Sequence, residues 1–335
     1  MKNRADELSR RRFVTAAVAG TIGGVSRLTC AEASPASRPA HIAITLDLEM
    51  SRHYPRREIM EWDFQKGNLD DATKAYAVQA AQIAKKLGGL IHFFCVGRVL
   101  EQPDISWLQE IATAGHPVGN HTYDHVNVLA TEPEATQFRF QRAPWLVRGK
   151  TARQVIEENI RMTEIALDRR AKIAQRGFRT PGGFHTGLAE RADVRSMLQG
   201  LGFTWVSSKY PRHQSGVPKQ HPTDAVFADI IRAQADAQPF VYPDGLVEIP
   251  MSPISDVTAF RSHFWKLESY LKAVGQAVDW AIETGGVFDF LAHPSCLVVE
   301  DPSFEAIKLI CRKVNQAGTR AAIVDLDTIA RRLGV

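Results

Sequence analysis

The chain has 335 residues, 44% of them hydrophobic and 23% charged, with a formal net charge of +4. That composition is ordinary for a globular protein and excludes a disordered, collagenous or coiled-coil chain. The length suits one large α/β domain or two smaller ones, each able to bury a sizeable core.

Residues 1–33 read as an export signal and stand outside the fold argument. Lys2, Arg4, Arg10, Arg11 and Arg12 precede an apolar run from Phe13 to Val25, 13 residues long. That run is too short to span a bilayer comfortably. Ser9-Arg10-Arg11-Arg12-Phe13-Val14 resembles a twin-arginine signal, an address read by a receptor, and Ala31-Glu32-Ala33 offers a small-residue cleavage site. The competing reading is a short amphipathic N-terminal helix. The first reading implies an exported, periplasmic or extracellular protein with no transmembrane anchor in the mature chain. The segment holds six basic and three acidic side chains, leaving the remainder at a net +1. The basic balance therefore gives no argument for nucleic acid. With Cys30 in this segment, Cys95, Cys296 and Cys311 remain, an odd number without paired spacing. Cys95 and Cys311 lie in apolar stretches and read as buried thiols.

Residues 34–40, rich in Ser, Pro and Ala, read as a linker, so the folded domain is expected over 41–335. Residues 41–47 are a β-rich apolar run. A long loop, 51–70, follows, with His53, Tyr54, Trp62 and Phe64, and loops of that kind shape substrate sites. Asp71 opens a helix to Leu87, stopped by Gly88-Gly89, where glycine supplies the left-handed turn. Residues 90–96 read as a buried strand, 104–114 as a helix ended by Gly115, and 117–120 as a short strand. Thr151 and Gln154 form a capping box for a helix reaching about Arg170. Further strands are expected at 178–180, 203–207, 246–249, 287–291 and 320–324, with helices at 188–200, 262–283 and 303–317. Apolar strands alternating with amphipathic helices argue for a parallel sheet covered by helices. About eight β/α units suit a closed β/α barrel in a single α/β domain. A doubly wound open sheet is the alternative, weakened because no Gly-rich phosphate fingerprint follows an early strand.

Four polar stretches fall at ends of the proposed strands, where a barrel carries its chemistry. Thr45-Leu46-Asp47-Leu48-Glu49 ends an apolar strand in two carboxylates. In extended chain residues i and i+2 point the same way, so Asp47 and Glu49 can face one site; a helix cap or a surface loop is the plain alternative. In Gly119-Asn120-His121-Thr122-Tyr123-Asp124-His125, two histidines four apart lie on one face of a helical turn and can hold one metal ion. Arg179-Thr180-Pro181-Gly182-Gly183 pairs an arginine able to orient a carboxylate with a turn whose N–H groups can meet an oxyanion. Phe290-Leu291-Ala292-His293-Pro294 places a histidine where a general acid can stand, or where a core histidine binds backbone. Trp62, Trp145, Trp205 and Trp265 are candidates for stacking on a ligand ring, with core packing the plainer reading of each.

Taken in order, these motifs resemble those of the NodB-type polysaccharide deacetylases, carbohydrate esterase family four, and the resemblance covers roughly residues 41–335. His92-Phe93-Phe94-Cys95-Val96-Gly97 and Ala114-Gly115-His116-Pro117-Val118-Gly119 are similar to connecting stretches of that family. The resemblance implies a distorted (β/α) barrel and a metal-dependent hydrolase that removes N-acetyl groups from a polysaccharide or oligosaccharide. It implies Asp47 as general base, His121 and His125 as metal ligands, Arg179 as the residue orienting Asp47, and His293 as general acid. A divalent ion is implied, zinc first, since two imidazoles and a carboxylate suit it. The chain departs from the family where a second aspartate commonly follows the first: Leu48 cannot bind metal, and Glu49 is the nearest replacement as third ligand. If Glu49 points away, Asp47 takes that role. The segment expected to tune the acid histidine is replaced by Val206-Ser207-Ser208-Lys209-Tyr210, and Asp256 is a candidate partner for His293. Two other functions fit the fold: an amidohydrolase acting on a small non-sugar amide, and a metal-free glycan-binding relative.

Overall fold

A computed structural model describes residues 38–51 and 66–334. The expected export segment and most of the expected linker lie outside the described residues, as does the middle of the 51–70 loop with His53, Tyr54, Trp62 and Phe64. Strand β1 (Ala40–Leu48) begins one residue earlier than expected, inside the supposed linker. It is the axis of the sheet. Its last four residues pair in parallel with β2 (His92–Cys95), residues 41–46 with β8 (Val287–Ala292), and Ala40–Ile42 with β9 (Ala321–Ile323).

From β2 the sheet continues through β3 (Val118–Asn120), β4 (Phe178–Phe184), β5 (Trp205–Lys209) and β7 (Val247–Glu248), all parallel. It ends on a two-residue antiparallel strand, β6 (Phe240–Val241). The ends of this sheet do not meet as a regular ladder. The sheet curls into a half-barrel, and Ser252, just beyond β7, reaches across to β8. Its N–H donates to Asp289 O at 3.0 Å, and its hydroxyl accepts from the Asp289 N–H at 2.9 Å. The expected barrel is thus distorted, drawn together by the backbone and hydroxyl of Ser252 and not by a strand pair.

Side-chain alternation along β1 sorts the two faces. Ile42, Ile44, Leu46 and Leu48 pack into the main core cluster, which includes α1 (Asp71–Lys86), α7 (Leu267–Thr284) and α9 (Glu305–Ala317). Ala43 faces the barrel interior with Phe94, Trp205, Val247 and Ile249. Thr45 and Asp47 share Ala43's face, so the interior is apolar at its lower end and charged at its upper end.

Helices connect the strands as the alternation requires. Between β2 and β3 runs α2 (Ser106–Thr113). Between β3 and β4 lie α3 (Phe138–Arg142) and α4 (Ala152–Ala166), the latter with the expected Thr151–Gln154 capping box. The remaining helices are α5 (Ala192–Gly200), α6 (Asp224–Gln234), α8 (Pro294–Glu300) and α10 (Leu326–Arg331). Helix α5 starts four residues later than expected because residues 185–190 form turns, with the Leu188 N–H taken by Tyr242 Oη at 2.8 Å. Helix α7 starts at Leu267 and not at 262, since Val257–Ser262 forms a separate π-helical turn. No described helix is long and apolar enough to cross a membrane. Cys95, Cys296 and Cys311 are all buried free thiols.

Candidate active site

The upper end of the half-barrel brings together residues separated by almost 250 positions. Asp47 and Glu49 arrive from the end of β1, His121 and His125 from the segment after β3, Arg179 from β4, and His293 from the end of β8. All but Arg179 line one cavity of about 290 Å³, together with Lys66, Thr180, Gly182, Gly183, Tyr210, Ser255 and Arg261 among others.

One expectation fails locally. The histidines do not sit on a helical turn: residues 121–125 are irregular, with Thr122 at φ 58° and His125 at φ 59°. Side chains disfavour that left-handed region, and local hydrogen bonds hold it. Asn120 Oδ1 accepts from the Thr122 N–H at 2.9 Å. Thr122 Oγ1 accepts from the Val126 N–H at 2.9 Å. The Asp124 N–H donates to Asn159 Oδ1 at 2.8 Å. The two imidazoles still meet, with ring centroids 5.1 Å apart, but a knotted turn brings them together, not helical spacing.

A cluster of donor atoms results. Among the described residues, Glu49, His121 and His125 form the one group of three or more His, Cys, Asp or Glu side chains that offers converging ligand atoms, all within 4.8 Å of one another. His121 Nδ1 lies 3.0 Å from Arg179 O. A carbonyl only accepts, so Nδ1 carries the proton and Nε2 turns a lone pair inward. That lone pair faces Glu49 Oε2 and Asp47 Oδ2, each 3.8 Å away. Glu49 Oε2 is buried and finds no hydrogen bond, although His125 Nε2 stands 2.6 Å from it. A carboxylate oxygen and two imidazole nitrogens that converge this closely are a set that a cation completes. Burial pushes the His121 and His125 pKa values down, His125 to about 4, which keeps both rings neutral as ligands must be. Burial pushes Glu49 upward, but His125 and Lys66 outweigh it and hold the carboxyl well below its ordinary range.

Around this cluster the other residues are held from behind. Arg179 is wholly buried. Its Nη1 donates to Thr45 Oγ1 at 2.6 Å and to Asp47 Oδ1 at 3.2 Å. Its Nη2 donates to Asp289 Oδ2 at 2.5 Å and its Nε to Ser207 Oγ at 3.2 Å. The guanidinium lies over the Phe94 ring, 4.4 Å from its centroid. These contacts fix Asp47 with Oδ1 engaged and Oδ2 turned to the cavity. His293 is clamped by Asp256, whose Oδ2 accepts the His293 N–H at 2.7 Å and whose Oδ1 lies 2.9 Å from His293 Nδ1. Nε2 of His293 then faces the cavity, 3.6 Å from Glu49 Oε1 and 4.0 Å from Asp47 Oδ2. Burial lowers the His293 pKa, but Asp256, Glu49 and Asp47 together overcome it and raise the pKa above the ordinary value.

Sequence reasoning missed Lys66 and Asp289. Lys66 Nζ donates to Glu49 Oε1 at 2.5 Å, and nothing in the local sequence marks it. Asp289 did carry a signal: it is the single charge within the apolar run Val287–Ala292. Trp205 and Trp265 are core residues, 3% and 4% exposed, whereas Trp145 is 69% exposed.

In fold, and in part of its sequence, the chain is similar to the polysaccharide deacetylases. The family model described as polysaccharide deacetylase matches residues 68–205. That stretch contains His121, His125 and Arg179, while Asp47, Glu49 and His293 fall outside it. The resemblance read from the motifs is therefore borne out. Solved structures agree in fold. A Mycobacterium smegmatis protein described as a polysaccharide deacetylase is 15% identical, with TM-score 0.58 over 89% of this chain and 91% of its own. A similar description belongs to a Pseudomonas aeruginosa PAO1 protein, 12% identical, TM-score 0.57, covering 87% and 89%. The Puue allantoinase is 12% identical, TM-score 0.55, again covering 87% and 89%. A search of curated sequences gave no match.

Proposed function

We propose that this protein is an exported, divalent-metal-dependent deacetylase that removes N-acetyl groups from a cell-wall or surface polysaccharide, releasing acetate. The observation that carries the reading is Glu49 Oε2, buried without a hydrogen bond between the inward-facing nitrogens of His121 and His125. Those three residues would hold the cation, zinc by preference for their donor set. When bound, it supplies Lewis-acid polarisation of the acetyl carbonyl and an acidified water.

The chain's own residues do the rest. Asp47, held through Oδ1 by Arg179, takes the proton of the attacking water on Oδ2. Gly182 and Gly183, in the last part of β4, line the cavity wall and are the residues whose backbone N–H groups would meet the developing oxyanion. His293, kept protonated by Asp256, donates its Nε2 proton to the sugar nitrogen as the C–N bond breaks. Acetate and a free amine leave.

The deciding experiment is acetate release from a panel of N-acetylated glycans, with chelator and zinc add-back. Release that chelator stops and zinc restores supports the reading. A second reading, hydrolysis of a small amide, is favoured by the cavity of only about 290 Å³ and by the shared fold with an allantoinase. Zinc-loaded protein that spares every glycan and opens a small amide would move the assignment there. Folded protein that binds sugar without zinc or turnover would make it a glycan-binding relative.

A further inference from the structure

Lys66 follows Glu49 by 17 residues and reaches back to it. Its carbonyl accepts the Met50 N–H at 2.9 Å, and its Nζ donates to Glu49 Oε1 at 2.5 Å. The side chain is only 4% exposed. A buried ammonium needs an opposite charge beside it, and this chain sets it against a member of the converging donor set. The placement is firm. After Asp47 the backbone folds back, the Glu49 N–H donating to Asp47 O at 3.0 Å, and Ser295 Oγ donates to Glu49 O at 2.8 Å. Gly67, next to Lys66, runs so close to the following segment that a Cβ there would lie 2.4 Å from Arg98 Cβ and 2.7 Å from Val99 N. Lys66 is thus held on one side through Met50 and on the other through Gly67.

The two oxygens of Glu49 consequently face different neighbours. Oε1 meets Lys66, with His293 Nε2 3.6 Å away. Oε2 meets the two histidines, 2.6 Å from His125 Nε2 and 3.8 Å from His121 Nε2. A carboxylate can grip a divalent ion with one oxygen or with both. Here one of the two is already taken.

We infer that Lys66 is a positioning residue that reserves Oε1 of Glu49, so that a divalent cation at His121, His125 and Glu49 is held through Oε2 alone. The inference rests on the metal reading of the site and not on the substrate. It has two consequences. A catalytic metal site works through an open position, and a second carboxylate oxygen would close it; Lys66 keeps it open for water or the acetyl carbonyl. The ammonium also sets a positive charge close to the cation. Like charges oppose each other strongly where water is excluded, so Lys66 weakens the hold on the ion. The same charge leaves Glu49 less electron density to donate, which makes the ion a stronger Lewis acid. Affinity is given up for reactivity.

The test loads the full chain with cobalt(II), whose visible absorption weakens as the ion gains a further ligand, and separately measures zinc affinity by competition with a chromophoric chelator. Wild type is compared with Lys66→Met, which keeps the length and loses charge and donor, and with Lys66→Arg, which keeps both. In Lys66→Met the cobalt absorption should fall about twofold as Oε1 closes the open position, and zinc should bind about tenfold tighter without the opposing charge. Lys66→Arg should stay near wild type in both. A wild-type cobalt spectrum in Lys66→Met, or zinc bound no tighter, overturns the inference. A crystal structure of zinc-loaded wild type decides the matter even if Lys66→Met fails to fold: Oε1 still on Lys66 supports the inference, and Glu49 bound through both oxygens overturns it. Wild type that takes up neither ion removes the metal reading and this inference together. Wild type that shows the expected spectra and affinities yet releases no acetate from any glycan removes the deacetylase reading and leaves the role of Lys66 standing.

Discussion

At the residue scale, the site separates holding from reacting. His125 and Asp47 face the same cavity, but only His125 belongs to the converging donor set with Glu49 and His121. His125→Ala should therefore lose both zinc, read by equilibrium dialysis, and acetate release. Asp47→Asn keeps its place against Arg179 and should retain zinc while losing turnover by about 10²–10⁴-fold. Zinc lost from Asp47→Asn would put Asp47 among the ligands. A second contrast concerns His293, whose Nδ1 and N–H both rest on Asp256. The carboxylate favours the charged imidazole, and activity that needs a protonated acid falls as pH rises through that pKa. Asp256→Asn removes the raising influence, so the alkaline limb of kcat/KM should move to lower pH. A limb that stays in place would show that another group supplies the proton. Asn retains hydrogen bonding to the His293 backbone, so loss of fold is not the expected cause.

At the element scale, strand register decides whether these residues meet, and one glycine guards it. Gly177, at φ 72°, precedes β4; its carbonyl accepts the Asn120 N–H of β3 at 3.0 Å. A Cβ there would lie 1.8 Å from Cζ2 of Trp205 in β5. Gly177→Ala combines a left-handed backbone with a clash against a buried indole, and should cost about 3 kcal/mol or more in urea unfolding. Full stability in that variant would mean that Trp205 has room to move. Such contacts explain what the sequence could and could not tell. Strands β1, β2 and β8 were legible from their mainly apolar runs, and the first and last motifs because Asp47 and His293 stand at the ends of such runs. Helix α6 and strand β6 escaped notice, the second because two residues carry no period. The left-handed turn at Thr122 and His125 depends on Asn159, 34 residues beyond His125, and spacing alone suggested a helix. Lys66 belongs to no motif and shows its partner, Glu49, only in three dimensions.

At the scale of the whole molecule, the end of the barrel opposite the site rests on a neutral histidine. His92, the first residue of β2, is fully buried and stacks on Phe94 at 4.7 Å, with Trp205 edge-on at 5.8 Å. Its Nε2 lies 2.8 Å from Arg176 O, so it donates there, and its Nδ1 accepts the Leu326 N–H at 3.3 Å, joining β2 to the segment before β4 and to α10. A second proton on this ring would face an N–H with nowhere to go. Burial accordingly lowers its pKa to about 4, against the opposing pull of Asp327. The unfolded chain, with an ordinary histidine near 6.5, then binds the proton more readily than the native one. Stability is complete above about pH 6.5 and is lost as pH falls toward 4, by about 3 kcal/mol from this residue. His92→Gln offers the same donor and acceptor without titrating. Urea unfolding of the two proteins across pH 4–7 should show a shallower acid loss in the variant, the two curves differing by roughly that amount at the acid end. Parallel curves would shift the acid sensitivity to His121 and His125, and zinc, by holding those two neutral in the folded state alone, would then steepen it.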